Sequence, residues 1–248
     1  MRQMLFATFL IPGTSQHLEL VHPYDRFDRC GVTGVRAFLY APDGRDLATT
    51  NLPLDDTVVD LGTVLPVWDD SAMVLTEVTY DLKGKRHPYE YGFLYQPGPG
   101  ASPIHYPLDV ALGLTDAITY QPNYGYFPLG PLPPWLGIRL FLGNVSEHAV
   151  IEPEVRVVTT KEVRRFVVSL PPLAHRVVDL PDDPGNDPLR YLTIRGDAKP
   201  VCYVAGLDRR TGTLTFLEHL MQTFKPSEET GELGEPAGAG SGAPGCVM

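Results

Sequence analysis

Pro53-Leu54-Asp55-Asp56-Thr57-Val58-Val59-Asp60-Leu61 and Pro172-Leu173-Ala174-His175-Arg176-Val177-Val178-Asp179-Leu180 are the two stretches whose reading decides how this chain folds. Each is a Pro-Leu turn, three spacer residues and a Val-Val-Asp-Leu strand. Working outward, each turn is approached by an apolar run that opens on Val-Arg, at Val35-Arg36 and again at Val155-Arg156, about 120 residues later and one residue shorter. Downstream, Met73 to Leu82 ends in a basic turn, Lys83-Gly84-Lys85-Arg86-His87, and is matched by Pro200 to Gly212 with its turn Arg209-Arg210-Thr211-Gly212. Tyr91 to Tyr95 and Leu214 to Leu217 follow as return strands. A shared order of strand, turn, strand, apolar strand, basic turn and return strand predicts two related halves in tandem.

Within each half, β-branched and aromatic residues come in runs of about 4 to 8, bounded by Gly, Pro, Asp and Asn. Ala41-Pro42-Asp43-Gly44-Arg45 is a turn in which Pro presets φ and Gly accepts a positive φ. Strands are predicted near residues 4 to 11, 17 to 21, 35 to 40, 46 to 50, 57 to 61, 73 to 80 and 90 to 95. In the second half they fall near 117 to 121, 136 to 142, 149 to 159, 163 to 169, 175 to 180, 190 to 195, 200 to 206 and 213 to 222. No amphipathic helical period interrupts them. The fold class predicted is all-β, a tandem pair of antiparallel, jelly-roll-like β-sandwich domains. The Pro- and Gly-rich stretch Gln96 to Pro103 divides residues 1–100 from 101–226. Residues 227–248, dominated by Gly, Glu, Pro, Ala and Ser, lack the apolar side chains that offset ordering entropy, and are expected to be a disordered tail.

A net charge of −10 argues against nucleic-acid partners and against anionic membranes. No apolar run reaches the roughly 18 residues of a membrane span, and Met4 to Ile11 lacks the marks of a signal peptide, so a cytoplasmic protein is expected. Cys30, Cys202 and Cys246 are too few and too scattered for a disulfide framework or a CxxC metal site. The terminal Gly245-Cys246-Val247-Met248 puts its cysteine one place too late for prenylation. No P-loop, G-x-G-x-x-G, HExxH or G-x-S-x-G occurs.

Over residues 135 to 222 the chain resembles the sensory rhodopsin transducer family of small bacterial β-sandwich proteins. The matching features are the Leu142-Gly143-Asn144 turn entering the His148 to Val158 strand, the Leu170-Pro171 turn before His175-Arg176-Val177, and Pro200-Val201 leading to Leu207-Asp208-Arg209-Arg210. The resemblance implies a cytosolic, oligomer-forming sandwich that binds a partner or small ligand, with no catalytic residues to carry over. The tandem copy departs from the family's single-domain form, and two fused copies could mimic a dimer.

Three clusters can carry chemistry. His17, Glu19, His22, Asp25 and Asp28 offer imidazole and carboxylate ligands for a metal, with His17, His22 and Asp25 as the candidate set. Strand alternation separates His17 from His22 unless the chain bends at Pro23, so a polar edge and loop is the simpler reading. The basic turns, through Lys83, Lys85, Arg86, Arg209 and Arg210, can bind an anion or an acidic partner, or be solvated hairpin tips. Tyr120, Asn123, Tyr124, Tyr126 and Trp135, set among prolines, can stack on a ligand, or form a strap between the halves.

The function this supports is a non-enzymatic ligand-binding or protein-docking and assembly module of a prokaryotic cytoplasm, forming a homo-oligomer and needing no cofactor. A metal-dependent enzyme centred on His17 and His22, and a purely structural subunit, are the alternatives.

Overall fold

The structure, a computed structural model, describes residues 2–12, 14, 16–21, 31–53, 58–66, 70–81, 91–96, 104–108, 123–130, 132–180, 187–198, 200–219 and 222–224. These residues lie mostly in strands, in four antiparallel sheets. The first strands are β1 (Arg2–Leu10), β2 (His17–Val21), β3 (Gly31–Tyr40), β4 (Asp46–Asn51), β5 (Val58–Asp60), β6 (Ala72–Asp81), β7 (Tyr91–Gln96) and β8 (Ile104–Leu108). After them come β9 (Asn123–Pro128), β10 (Leu136–Gly143), β11 (Glu154–Thr159), β12 (Val163–Val167), β13 (His175–Asp179), β14 (Leu189–Gly196), β15 (Val201–Asp208), β16 (Leu214–His219) and β17 (Gln222–Phe224). A single helical turn, α1 (Leu61–Val64), leaves β5, its N-terminus capped by the Asp60 carboxylate accepting from Gly62 N at 2.8 Å.

Sheet I has the order β5-β2-β7-β8, sheet II β1-β6-β3-β4, sheet III β13-β10-β15-β16 and sheet IV β12-β11-β14-β9-β17. Their layering follows from which side chains share a core. Leu18 and Val59 of sheet I cluster with Val35, Ala37, Leu39 and Val74 of sheet II. Phe9 and Met73, on the other face of sheet II, meet Phe141 and Tyr203 of sheet III. The opposite face of sheet III, with Ile138, Leu140, Cys202 and Val204, packs on Val155, Val157, Leu192 and Ile194 of sheet IV. The layers therefore run I, II, III, IV. Sheets II and III are covered on both faces, and this explains why Ala72 to Thr76 and Val201 to Ala205 are continuous buried runs rather than alternating ones.

The strand order repeats. Sheet II, β1-β6-β3-β4, recurs in sheet IV as β9-β14-β11-β12, and sheet I, β5-β2-β7-β8, recurs in sheet III as β13-β10-β15-β16. The Val-Arg and Val-Val-Asp-Leu landmarks fall on matching strands, β3 with β11 and β5 with β13. Beyond them the sequence alignment slips by one strand. Topology matches β6 to β14 and β7 to β15, whereas residue type matches Met73–Leu82 to the β15 segment. The two basic segments are consequently not equivalent: Lys83, Lys85 and Arg86 fall in the chain between β6 and β7, and Arg209 and Arg210 between β15 and β16. Both β6 and β15 are apolar and precede a charged segment, so residue type alone does not separate them.

Two further differences concern strands rich in proline. Residues 104–108 form β8, which pairs with β7 and so extends the first set of strands past the Pro-Gly stretch. Pro107 is accommodated because β8 is an edge strand, where a missing N–H leaves no ladder bond unmade. The aromatic segment expected to be a strap contains β9, hydrogen-bonded between β14 and β17. The expected 117–121 strand and the tail 227–248 lie outside the described residues.

The contact between sheets II and III joins the halves. Tyr203 donates its hydroxyl hydrogen to Ala7 O at 2.9 Å, and His175 N donates to Pro42 O at 3.1 Å. The β3–β4 turn itself is part of the joint. Gly44 has φ +86°, and a Cβ placed there would lie 2.3 Å from Pro172 O. Gly44→Ala is therefore expected to destabilise the chain by about 2 kcal/mol, combining left-handed strain with a clash against backbone that cannot rotate away. Urea denaturation measures this, and an unchanged midpoint would contradict the turn packing.

Candidate functional site

Strand alternation on sheet IV sends Val155 and Val157 into the core and leaves Glu154, Arg156 and Val158 on the outer face. The register then sets Arg156 between Arg165 of β12 and Thr193 of β14, Val158 between Val163 and Tyr191, and Glu154 between Val167 and Arg195. The backbone of β9 pairs with β14 on its other side, Tyr126 in register with Thr193 and Tyr124 with Arg195. In a chain of net charge −10, three arginines thus share one sheet face with valine, threonine and tyrosine.

The outer strand β12 is open to solvent. Arg164 and Arg165 are exposed, and Val163 and Val167 are 45% and 61% exposed although both are large apolar residues. Val163, Arg165 and Val167 alternate onto the outer face, in register with Val158, Arg156 and Glu154, whereas Arg164 stands opposite the inward Val157. Deeper in the face, Val158 and Thr193 are buried and Arg156 keeps 14% of its side chain exposed, so the part a partner meets first is the β12 margin. Arg164 is paired with Glu162, and Arg156 with Glu154. The hairpin that presents β12 is held at its tip by Asp187. Its carboxylate accepts from Thr159 Oγ1 at 2.7 Å, Thr160 Oγ1 at 2.8 Å and Lys161 N at 2.9 Å.

The aromatic residues grouped in the sequence are divided by the fold. Asn123, Tyr124 and Tyr126 belong to β9 on sheet IV, whereas Trp135 is 51% exposed at the entrance to β10. There its carbonyl accepts from Arg209 N at 2.9 Å, which puts Trp135 beside the β15–β16 turn. Arg209 and Arg210 are exposed on that turn, whose shape is set by Gly212 at φ 72° and by Asp208 Oδ1 accepting from Arg210 N at 2.8 Å. Tyr120, Lys83, Lys85 and Arg86 lie outside the described residues.

His17 stands opposite Asp60 on β5, as Arg139 stands opposite Asp179 in sheet III. Arg139 and Asp179 form an ion pair at 2.7 Å, so the matching position in the other half is a cross-strand polar pair. His22 and Asp25 lie outside the described residues, among which no group of three or more His, Cys, Asp or Glu is placed to hold a metal. Cys202 is fully buried, and burial pushes its thiol well above the usual range, away from the thiolate that reactive cysteines require.

Sequence reasoning missed the arginine face. Arg156, Arg165 and Arg195 lie apart along the chain, and only the β12-β11-β14 pairing assembles them. The signal available was the run Val163-Arg164-Arg165-Phe166-Val167, a β-branched strand carrying adjacent charges. No helix among the described residues is long and apolar enough to cross a membrane. The fold and face define an all-β protein of antiparallel sheets with a basic, partly apolar outer layer. Comparison of the chain with protein-family models, curated proteins and solved structures finds no match.

Proposed function

We propose that this chain is a non-enzymatic docking and assembly module of a prokaryotic cytoplasm, built as two related β-sandwich units in tandem, and that the outer face of sheet IV is its docking surface. The observation that carries the reading is the register that sets Arg165 beside Arg156 on β12 and β11, flanked by exposed Val163 and Val167. Arginines planted in an apolar surface recognise carboxylates with directed, charge-assisted hydrogen bonds, while the valines exclude water around them. The partner chemistry that fits is an acidic protein surface with interspersed apolar residues. Edge strand β12 adds a row of backbone groups to which an extended partner segment can pair. The resemblance of residues 135 to 222 to the sensory rhodopsin transducer family points to the same kind of role.

A peptide of alternating Glu and Val residues is a suitable probe, since one of its faces carries carboxylates at strand spacing. Calorimetric titration is expected to show binding that weakens as salt is raised from ~0.05 to ~0.3 M. Reversing the charge by Arg165→Glu is expected to weaken it by about ten-fold or more. Arg165 is exposed, so the thermal midpoint should hold, a surface change being worth about 0.5 kcal/mol. Equal affinity in parent and variant would remove the basis for the proposal.

A further inference from the structure

Four large apolar residues are exposed among the described residues, and two of them, Val163 and Val167, stand on β12. That strand has five residues, forms the edge of sheet IV and also carries exposed Arg164 and Arg165. β4, at the matching edge of sheet II, turns Asp46, Thr49 and Asn51 to solvent instead. An edge strand with exposed apolar side chains is a template for a further strand.

The ladder fixes which backbone groups this edge offers. Thr159 N donates to Glu162 O at 3.0 Å, and Val168 N donates to Pro153 O at 3.0 Å, at the two ends of the β11–β12 register. Antiparallel pairs alternate between hydrogen-bonded and non-hydrogen-bonded. Stepping inward from both ends, Arg164 and Phe166 are bonded to β11, so Val163, Arg165 and Val167 turn their N–H and C=O groups away from it. No described strand lies on that side. The same three residues put their side chains on the outer face, whereas Arg164, paired with Glu162, points to the other.

We infer that β12 takes up an extended segment of a partner protein as the next antiparallel strand of sheet IV, and that the segment reads apolar-x-acid-x-apolar. The inference rests on the docking reading above and specifies its partner. One residue of the segment stands directly opposite each of Val163, Arg165 and Val167, on the same face. The acid meets the Arg165 guanidinium, and the apolar residues cover the two valines. The x positions fall opposite Arg164 and Phe166, where Glu162 already meets the charge, so small polar residues such as threonine fit. The segment extends the sheet sideways, so buried Val158 and Thr193, and Arg156 with its partner Glu154, are not required to be accessible. A second copy of β12 is a poor occupant. The antiparallel pairing that covers Val163 with Val167 sets the two Arg165 side chains directly opposite each other, and like charges there repel. The arginine thus rejects a copy and selects an acid.

Calorimetric titration of the full chain with end-blocked peptides tests this. Ser-Val-Thr-Glu-Thr-Val-Ser is expected to bind at least about three-fold more tightly than its isomer Ser-Thr-Val-Glu-Val-Thr-Ser, which has the same charge and composition but puts the valines on the face away from the acid. Methylating the Glu backbone nitrogen, which donates to β12, is expected to weaken binding about ten-fold, whereas methylating a Thr nitrogen, which points to solvent, changes it by less than about two-fold. Arg165→Glu should weaken the first peptide about ten-fold, and replacing the peptide's Glu by Lys should restore affinity for this variant to within about three-fold of the parent pair. The thermal midpoint of Arg165→Glu is measured alongside, so that lost binding is separated from lost fold. Equal affinity of the two isomers, or of the two methylated peptides, overturns strand addition. If the alternating Glu-Val peptide then still binds through Arg165, the docking reading stands without it; if no acidic peptide binds, both fall.

Discussion

Phe141→Ala is expected to lower the stability of the entire chain by about 3 to 5 kcal/mol, the range for removing a buried aromatic ring from a packed interior. Phe141 is 1% exposed, and its ring centroid lies 5.4 Å from that of Phe9 in the opposite half. Close by, Gly143 is packed so tightly that a Cβ there would fall 2.6 Å from Met73 Sδ, so the surroundings have little room to rearrange around a lost ring. The loss falls on a joint that both halves share. Unfolding should therefore remain one cooperative transition, shifted equally in the two halves. The two tryptophans allow this to be read directly, because Trp68 lies in the first half and Trp135 in the second. Single-tryptophan variants, Trp68→Phe or Trp135→Phe, followed by fluorescence in urea, should give coincident midpoints with and without Phe141→Ala. Separate midpoints, with only the Trp135 signal displaced, would show that the halves fold independently and that the joint is marginal.

Acidification is expected to weaken the same joint through His175. This imidazole is fully buried between the halves, with Nε2 3.2 Å from both Ser71 O and Ser71 Oγ. A carbonyl oxygen can only accept, so the neutral ring carries its hydrogen on Nε2 and donates it to Ser71 O. The remaining nitrogen, Nδ1, has no partner among the described residues, and it is where a second proton must go. Burial pushes the pKa down from 6.5 to about 4, against the Ser71 carbonyl and the Asp70 carboxylate, which raise it, with Arg176 lowering it and Asp43 raising it. Since the folded pKa lies below the unfolded one, the unfolded chain binds the extra proton first. The contribution to stability is complete above about pH 6.5, declines as pH falls, and is lost below about pH 4, for a total on the order of 3 kcal/mol. Glutamine can keep a donor toward Ser71 O without titrating. Urea midpoints of the parent and of His175→Gln should therefore converge between pH 6.5 and pH 4, the parent losing the greater share. Parallel curves would mean that His175 is not the group responsible.

Much of the fold is legible in the residues because strand signals are local. The turn at Ala41 to Arg45, the strand after each Pro-Leu turn and the all-β class follow from proline, glycine and β-branched residues at fixed spacings. β8 and β9 were not legible, because Pro107 and Gly125 speak against strands in isolation, and only hydrogen bonds to β7 and β14 outweigh them. The His17 position reads as a metal ligand from composition and as a cross-strand neighbour of Asp60 once the register is known. The arginine face was not legible at all, since Arg156, Arg165 and Arg195 become neighbours only through the pairing of three separate strands.

Residue order alone dictates where most strands begin and end, because turn geometry and β-propensity act over a few residues and leave their mark on each of them. Three-dimensional pairing and packing fix the rest: which strand of one half corresponds to which of the other, that sheet II meets sheet III, and which charged residues share the outer face of sheet IV. Those depend on hydrogen-bond register, and register is a property of pairs of strands: a shift of one residue would exchange every inward side chain for an outward one without altering the composition of either strand.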